Sequence, residues 1–217
     1  MKIQKFDLLI SIYIFCIAVA ELMGAKTFPL FQIGSFKLNA SVAIFVIPLL
    51  FTINDMITEV HGKERARSVI RSGLVVIFLI LLFSLLATHL PPSSRFAGVE
   101  GAYDAVFGKS ARIAAASLVA FGFAEFLDVF VFSRLRERLG QSKLWLRNNV
   151  SNIISQFADT TLFMTLAFYS LNQPFGDNMA FLWSLILLYW LLKCAMSVIE
   201  TPFVYAGVKW LRSDESK

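Results

Sequence analysis

Apolar residues run along this chain in long blocks separated by short polar segments. Blocks at about 6–28, 40–60, 69–90, 112–133, 150–171 and 181–208 each approach the roughly 20 residues that a helix needs to cross a bilayer. Turn-forming clusters punctuate them: Pro91-Pro92-Ser93-Ser94 closes the third block, and Asn172-Gln173-Pro174-Phe175-Gly176 closes the fifth. The pattern predicts an all-α integral membrane protein, a single domain of six transmembrane helices over residues 1–217. Between Pro91 and Arg112 it predicts the longest outer loop, with a short amphipathic stretch, Glu100 to Phe107, lying at the membrane surface. Pro48 and Pro202 fall inside the second and sixth blocks, where a missing N–H predicts kinks.

Composition supports this class. Of 217 residues, 57% are hydrophobic and 16% charged, against roughly 45–50% and 25% in ordinary soluble domains. The first block carries polar residues and no small-residue cleavage site, so it is expected to be a span and not a cleaved signal. Cys16 and Cys194 both fall within predicted spans, which excludes a disulfide framework and predicts buried thiols.

The formal net charge of +5 is explained by topology, not by nucleic-acid binding. Fourteen Lys and Arg fall on the side of the N-terminus: Lys2, Lys5, Lys63, Arg65, Arg67, Arg71, Arg134, Arg136, Arg138, Lys143, Arg147, Lys209, Arg212 and Lys217. Five fall opposite: Lys26, Lys37, Arg95, Lys109 and Arg112. Cytoplasmic loops hold the excess of Lys and Arg, so both termini are expected in the cytoplasm.

The acids inside the spans carry the candidate chemistry. Glu21, Asp55, Glu59, Glu125, Asp128, Asp159 and Glu200 face one well-placed base, Lys193, with Lys26 and Arg147 near the edges. Not all can be internally paired. Some must be protonated, reach water, or meet a solute that is cationic or donates hydrogen bonds. Asp55 and Glu59 stand four apart, and Glu125 and Asp128 three apart, so each pair shares a helix face. Asn152, Ser155, Gln156, Asp159 and Thr160 form a polar stripe on span five, and Lys193, Ser197 and Glu200 form another on span six. Lipid cannot satisfy such faces, so they must point inward.

Polar side chains also join membrane helices structurally, which suffices for Ser84 and Thr165. Asp55, Asp159 and Lys193 are better read as binding groups, whereas Glu21, Glu59, Asp128 and Glu200 remain open between the two roles. Such a cavity suits a small polar or cationic solute. A planar amidine-like edge would satisfy a carboxylate, and aromatic faces would stack on its ring. Ala20-Glu21 recurs as Ala124-Glu125, Phe28 as Phe132 and Asp55 as Asp159, all at one offset, as an inverted repeat of three spans plus three would produce.

No Gly-Lys-Ser/Thr phosphate loop, Gly-x-Ser-x-Gly or His-Glu-x-x-His motif occurs. No enzyme activity, metal or cofactor is therefore expected, and any use of ATP would need a separate ATPase subunit. His61 and His89 are single and read as interfacial.

Several segments resemble the queuosine precursor transporter family, also described as the vitamin uptake transporter family. One is Phe51-Thr52-Ile53-Asn54-Asp55-Met56-Ile57-Thr58-Glu59-Val60-His61-Gly62-Lys63. Another is Ala111-Arg112-Ile113-Ala114-Ala115-Ala116-Ser117-Leu118-Val119-Ala120, continuing to Glu125-Phe126-Leu127-Asp128-Val129-Phe130-Val131-Phe132. A third is Leu144-Trp145-Leu146-Arg147-Asn148 with Ser151, Ser155-Gln156 and Asp159-Thr160, and the last is Lys193 with Thr201-Pro202.

The resemblance implies a six-span inner-membrane importer of 7-deazaguanines: 7-cyano-7-deazaguanine, its aminomethyl relative or queuine. It implies Asp55, Glu59, Glu125, Asp128, Arg147, Gln156, Asp159 and Lys193 as substrate-binding positions. The partners expected are a deazaguanine-type base and the lipid bilayer, with a homodimer left open. His61 stands where the family usually has Tyr, and Asn149 and Asn152 where it commonly has Thr. These departures bear on which substrate is carried.

Overall fold

A computed structural model describes residues 4–34, 36–139 and 144–215. Its helices are α1 (Lys5–Met23), α2 (Ile47–His61), α3 (Lys63–His89), α4 (Glu100–Leu139), α5 (Leu144–Phe168), α6 (Phe175–Ile199) and α7 (Thr201–Glu215). Between α1 and α2 lie an antiparallel hairpin, β1 (Thr27–Ile33) with β2 (Phe36–Ser41), and a 3₁₀ turn over Val42–Phe45. Among the described residues, five segments are long and apolar enough to cross a membrane: Lys5–Met23, Val42–His61, Lys63–His89, Glu100–Leu135 and Phe175–Met196. Large apolar side chains such as Phe15, Phe83, Phe126 and Phe130 point outward, as a lipid solvent requires. The architecture is that of a predominantly α-helical membrane protein.

Four local features differ from the sequence reading. The first block ends at Met23 and the second becomes helical at Ile47, because the hairpin occupies the stretch between them. Thr27-Phe28-Pro29-Leu30-Phe31-Gln32-Ile33 is apolar enough to pass for a helix end. Its β-prone residues instead pair with Phe36–Ser41, in register from Thr27 opposite Ser41 to Ile33 opposite Phe36. Gly34 turns the chain at φ 62°, where only glycine is at ease.

Second, the amphipathic stretch Glu100–Phe107 is not a surface loop but the opening turns of the 40-residue α4. Third, neither proline kinks a span. Pro48 and Pro202 are each the second residue of a helix, α2 and α7, where the missing N–H costs nothing. The sixth block is accordingly two helices, divided at Glu200, the C-cap of α6. Fourth, Cys16 is buried but Cys194 lies on an exposed face of α6.

One core joins α1, α2, α3 and α7 through Leu9, Tyr13, Ile57, Val69 and Leu211. A second joins α5 to α6 through Met164, Leu182, Leu185 and Tyr189. The Lys5 ammonium donates to the Trp210 carbonyl at 2.7 Å and to Ser213 Oγ at 2.6 Å, tying α1 to α7. Arg112 donates to the Leu166 and Tyr169 carbonyls at 2.7 and 2.6 Å, capping the C-terminus of α5.

Gly73 lets α3 approach α1. A Cβ there would stand 2.7 Å from Ile17 Cδ1 and 3.2 Å from Tyr13 Cε1. Gly73→Val is expected to cost about 1–3 kcal/mol by overpacking and to lower the melting temperature in detergent. Gly122→Val, where a Cβ meets nothing within 4 Å, should change it little. Equal melting temperatures for the two variants would show that the α1–α3 contact yields freely.

Candidate functional site

Where α1 ends and α2 begins, six helices surround a cavity of about 300 Å³. Each presents one face, at helical spacing. From α2 come Ile47, Leu50, Phe51 and Asn54, at positions i, i+3, i+4 and i+7. From α4 come Ile113, Ser117, Ala120 and Phe121. Asp159, Thr160, Phe163 and Met164 come from α5, and Tyr189 with Lys193 from α6. Tyr13, Ala20 and Glu21 come from α1, and Leu74 and Ile77 from α3. Gly24, Ser41 and Ala43 complete the wall with non-helical backbone. In a membrane protein, backbone of that kind is tolerated where protein buries it or where it lines a cavity.

Tyr189 anchors this irregular segment. Its hydroxyl accepts from the Ser41 N–H at 3.0 Å and donates to the Ser41 carbonyl at 3.1 Å. Ser41 Oγ donates to the Gly24 carbonyl at 2.6 Å, and Asn39 Nδ2 donates to Ser184 Oγ at 3.0 Å. The hairpin is thus fastened to α6, with its base beside Tyr189, just past the middle of that helix.

Two features define the chemistry of the cavity. The first is an ion pair in which Lys193 Nζ donates to Asp159 Oδ2 at 2.6 Å, with both side chains largely buried. It neutralises the two charges while leaving Lys193 two further donors and Asp159 a second oxygen. The second is a set of buried polar atoms without a hydrogen-bond partner among the described residues: Glu21 Oε2, Asn54 Oδ1 and Thr160 Oγ1. All three residues line the cavity. Glu21 is 5% exposed, and its Oε1 accepts from Ser117 Oγ at 2.9 Å.

Of the binding residues proposed from sequence, Asp159 and Lys193 meet in this cavity, and Asp55, Glu59, Glu125, Asp128 and Gln156 do not line it. Asp55, next to Asn54 but a hundred degrees around α2, faces away from it, and its carboxyl is hydrogen-bonded to that of Glu200. Glu59 is exposed and lies 3.7 Å from Arg212 of α7. Glu125 is on an exposed face of α4. Asp128 Oδ1 accepts from Ser155 Oγ at 3.4 Å, and Gln156 Nε2 donates to Asn152 Oδ1 at 3.1 Å. The side chains of Arg136, Arg138, Arg147 and Ser197 lie outside the described residues, as do Lys2, Lys143 and Lys217.

Glu21, which the sequence leaves open between roles, lines the cavity together with Asn54, Thr160 and Tyr189, which are not among the proposed binding residues. The sequence signal for them is the i, i+3, i+4, i+7 run ending at Asn54 and the polar stripe that contains Thr160.

The apolar helices, with a cavity among them that is largely apolar but holds a buried ion pair, are those of a multi-pass membrane protein. Residues 41–207 match the family model described as putative vitamin uptake transporter, and the chain belongs to that family. A "Probable queuosine precursor transporter" of Bacillus subtilis is 33% identical over 205 residues, covering 93% of this chain and 83% of that protein. One of the same name from Haemophilus influenzae is 32% identical, covering 65% and 57%. A "Queuosine precursor transporter" of Escherichia coli is 28% identical, covering 60% and 56%. No solved structure matches the chain.

Tyr189→Phe keeps the ring in the core and removes both hydrogen bonds to Ser41. It is expected to destabilise the protein by about 1–3 kcal/mol, since the Ser41 N–H and C=O are left buried without that partner. Thermal unfolding should show this, with Tyr205→Phe on an exposed side chain as the neutral comparison.

Proposed function

We propose that this chain is an importer of queuosine precursors in the cytoplasmic (inner) membrane and works as a secondary carrier, binding its solute in the cavity around Asp159 and Lys193. The observation that carries the reading is that cavity, closed around an ion pair and unpartnered polar atoms, in a family whose named relatives include queuosine precursor transporters. Its volume of about 300 Å³ lies at the small end of the roughly 300–1,000 Å³ typical of small-molecule sites. That favours a base such as 7-cyano-7-deazaguanine or its aminomethyl relative over a nucleoside. Phe51, Phe121 and Phe163 supply ring faces against which a flat base can stack.

In this reading α5 also crosses the membrane, its polar stripe turned inward, which makes six spans, and both termini face the cytoplasm, consistent with the distribution of Lys and Arg. Two three-span halves, with Asp55 and Asp159 at corresponding positions, would be inverted relative to each other. Asp55, Glu59 and Glu200 lie towards the cytoplasmic ends of α2 and α6, where acids can take part in opening that side. No phosphate-binding loop is present in the sequence, so transport would draw on an ion or solute gradient.

Purified protein in liposomes is expected to take up a labelled 7-deazaguanine without any second subunit. Uptake that appears only when an ATPase is added would replace the carrier reading with that of a substrate-binding subunit. Asp159→Asn leaves Lys193 buried without its counter-charge, a change worth about 3–5 kcal/mol in comparable pairs. It is expected to cut uptake at least about tenfold while the protein still inserts in the membrane. Wild-type uptake by this variant would remove Asp159 from the site.

A further inference from the structure

Glu21 stands out among the acids because its position is electrostatically unfavourable. It lies in the last turn of α1, three residues before the Gly24 C-cap, where the helix dipole disfavours an anion. It is 5% exposed. Among the described residues no cation lies within ion-pairing distance, and its side chain accepts one hydrogen bond, from Ser117 Oγ. A buried carboxyl group with an unmade hydrogen bond is costly. Its unpartnered oxygen, moreover, belongs to a residue that lines the same cavity as unpartnered oxygens of Asn54 and Thr160. Three of the buried unpartnered atoms of the described residues thus belong to residues that line one cavity, where hydrogen-bond donors of a solute would satisfy them.

The cavity is lined by both acceptors and donors. Glu21 and Asn54 offer acceptors: Glu21 Oε2 is fully available, and Oε1 keeps a lone pair beside the Ser117 bond. Lys193, across the Asp159 pair, offers donors. A ligand that satisfies both sides must present adjacent N–H donors on one edge, with a carbonyl acceptor next to them. An aminopyrimidinone ring has this edge: a ring N–H, an exocyclic amino group, and an adjacent C=O.

We propose that Glu21 is the residue that determines specificity, its carboxylate receiving the ring N–H and exocyclic amino group of the base while Lys193 donates to the ring carbonyl. The assignment rests on the base-carrier reading above and adds to it the group that selects the base. Ser117 is then a positioning residue, its hydroxyl fixing the Glu21 rotamer.

The test compares 7-deazaguanine with 7-deazahypoxanthine, which lacks the amino group, binding to the purified full-length protein in detergent. Wild-type protein is expected to prefer 7-deazaguanine by about 10- to 100-fold, the span of one charge-assisted hydrogen bond. Glu21→Gln sets an amide N–H₂ against the donors of the base, and should bring the ratio to within about threefold of unity. Binding of 7-deazahypoxanthine to the variant, together with an unchanged melting temperature, reports an intact fold. Glu21→Asp withdraws the carboxylate by one methylene and is expected to lower the ratio at least about fivefold, so it decides the matter should Glu21→Gln not fold.

A preference unchanged in the folded variant overturns the role of Glu21 and leaves the carrier reading standing. That is also the outcome if Glu21 only carries a proton. Wild-type protein that binds neither base overturns the carrier reading, and this assignment with it.

Discussion

Lipid offers no hydrogen bonds, and the arrangement of this chain follows from that one fact. A polar side chain on a membrane helix must find a partner on another helix or an enclosed space that water or a solute can enter. Asn54 on α2, Ser117 on α4, Thr160 with Asp159 on α5, and Lys193 on α6 all sit on helices made mostly of apolar residues. Turning each polar position inward brings all of them to one cavity. The Asp159–Lys193 pair at 2.6 Å is the part of this arrangement that could not stand half-made. Desolvating either charge alone costs several kcal/mol, so the pair fixes the facing of α5 against α6.

The same constraint accounts for the hairpin. A strand pair leaves unpaired N–H and C=O groups along its edges, which an apolar environment penalises as heavily as it does a side chain. Tyr189 of α6 takes up part of that demand at the Ser41 N–H and C=O, while the Asn39 and Ser41 side chains tie the hairpin to Ser184 and to the Gly24 carbonyl. The hairpin also lets α1 and α2 end beside each other, which brings Glu21, Ser41, Ala43 and Ile47 to the same wall. Two continuous helices in its place would bury those backbone groups within themselves and leave no irregular surface there.

The apolar blocks made the helical architecture legible, because their length answers directly to bilayer thickness. The prolines were not, since a proline two residues into a helix and one in its middle look alike when the boundary is unknown. Pro48 and Pro202 start helices, and the division at Glu200 follows. The hairpin escaped for a related reason. Thr27–Ile33 is apolar enough to satisfy a hydropathy window, and such windows do not separate a short buried strand from a helix end. At the site, the charged residue drew the eye to Asp55, yet the cavity takes its neighbour Asn54. Adjacent residues on a helix point a hundred degrees apart, so only the facing of α2, set by packing of Ile53, Met56 and Ile57, decides between them. Asp159 and Lys193 were legible because a stripe of five polar positions on α5 and a lone base on α6 left few other ways to pair. Glu21 was visible as an acid, but not as one with an unpartnered oxygen.

The placement of α2 joins these observations. Its Asn54 borders the cavity, Asp55 on the adjoining face is hydrogen-bonded to Glu200 at the division between α6 and α7, and Glu59 lies one turn on, near Arg212 of α7. The two carboxyl groups meet where the backbone passes from α6 to α7. Gly207, opposite Met56, leaves α7 no room for a Cβ at the same interface, so a displaced α2 cannot slide past α7 without moving it. A solute that engaged Asn54 would therefore act on the helix whose other faces hold Asp55 and Glu59. The acids that do not touch the cavity are thus placed where occupancy of the cavity can be felt.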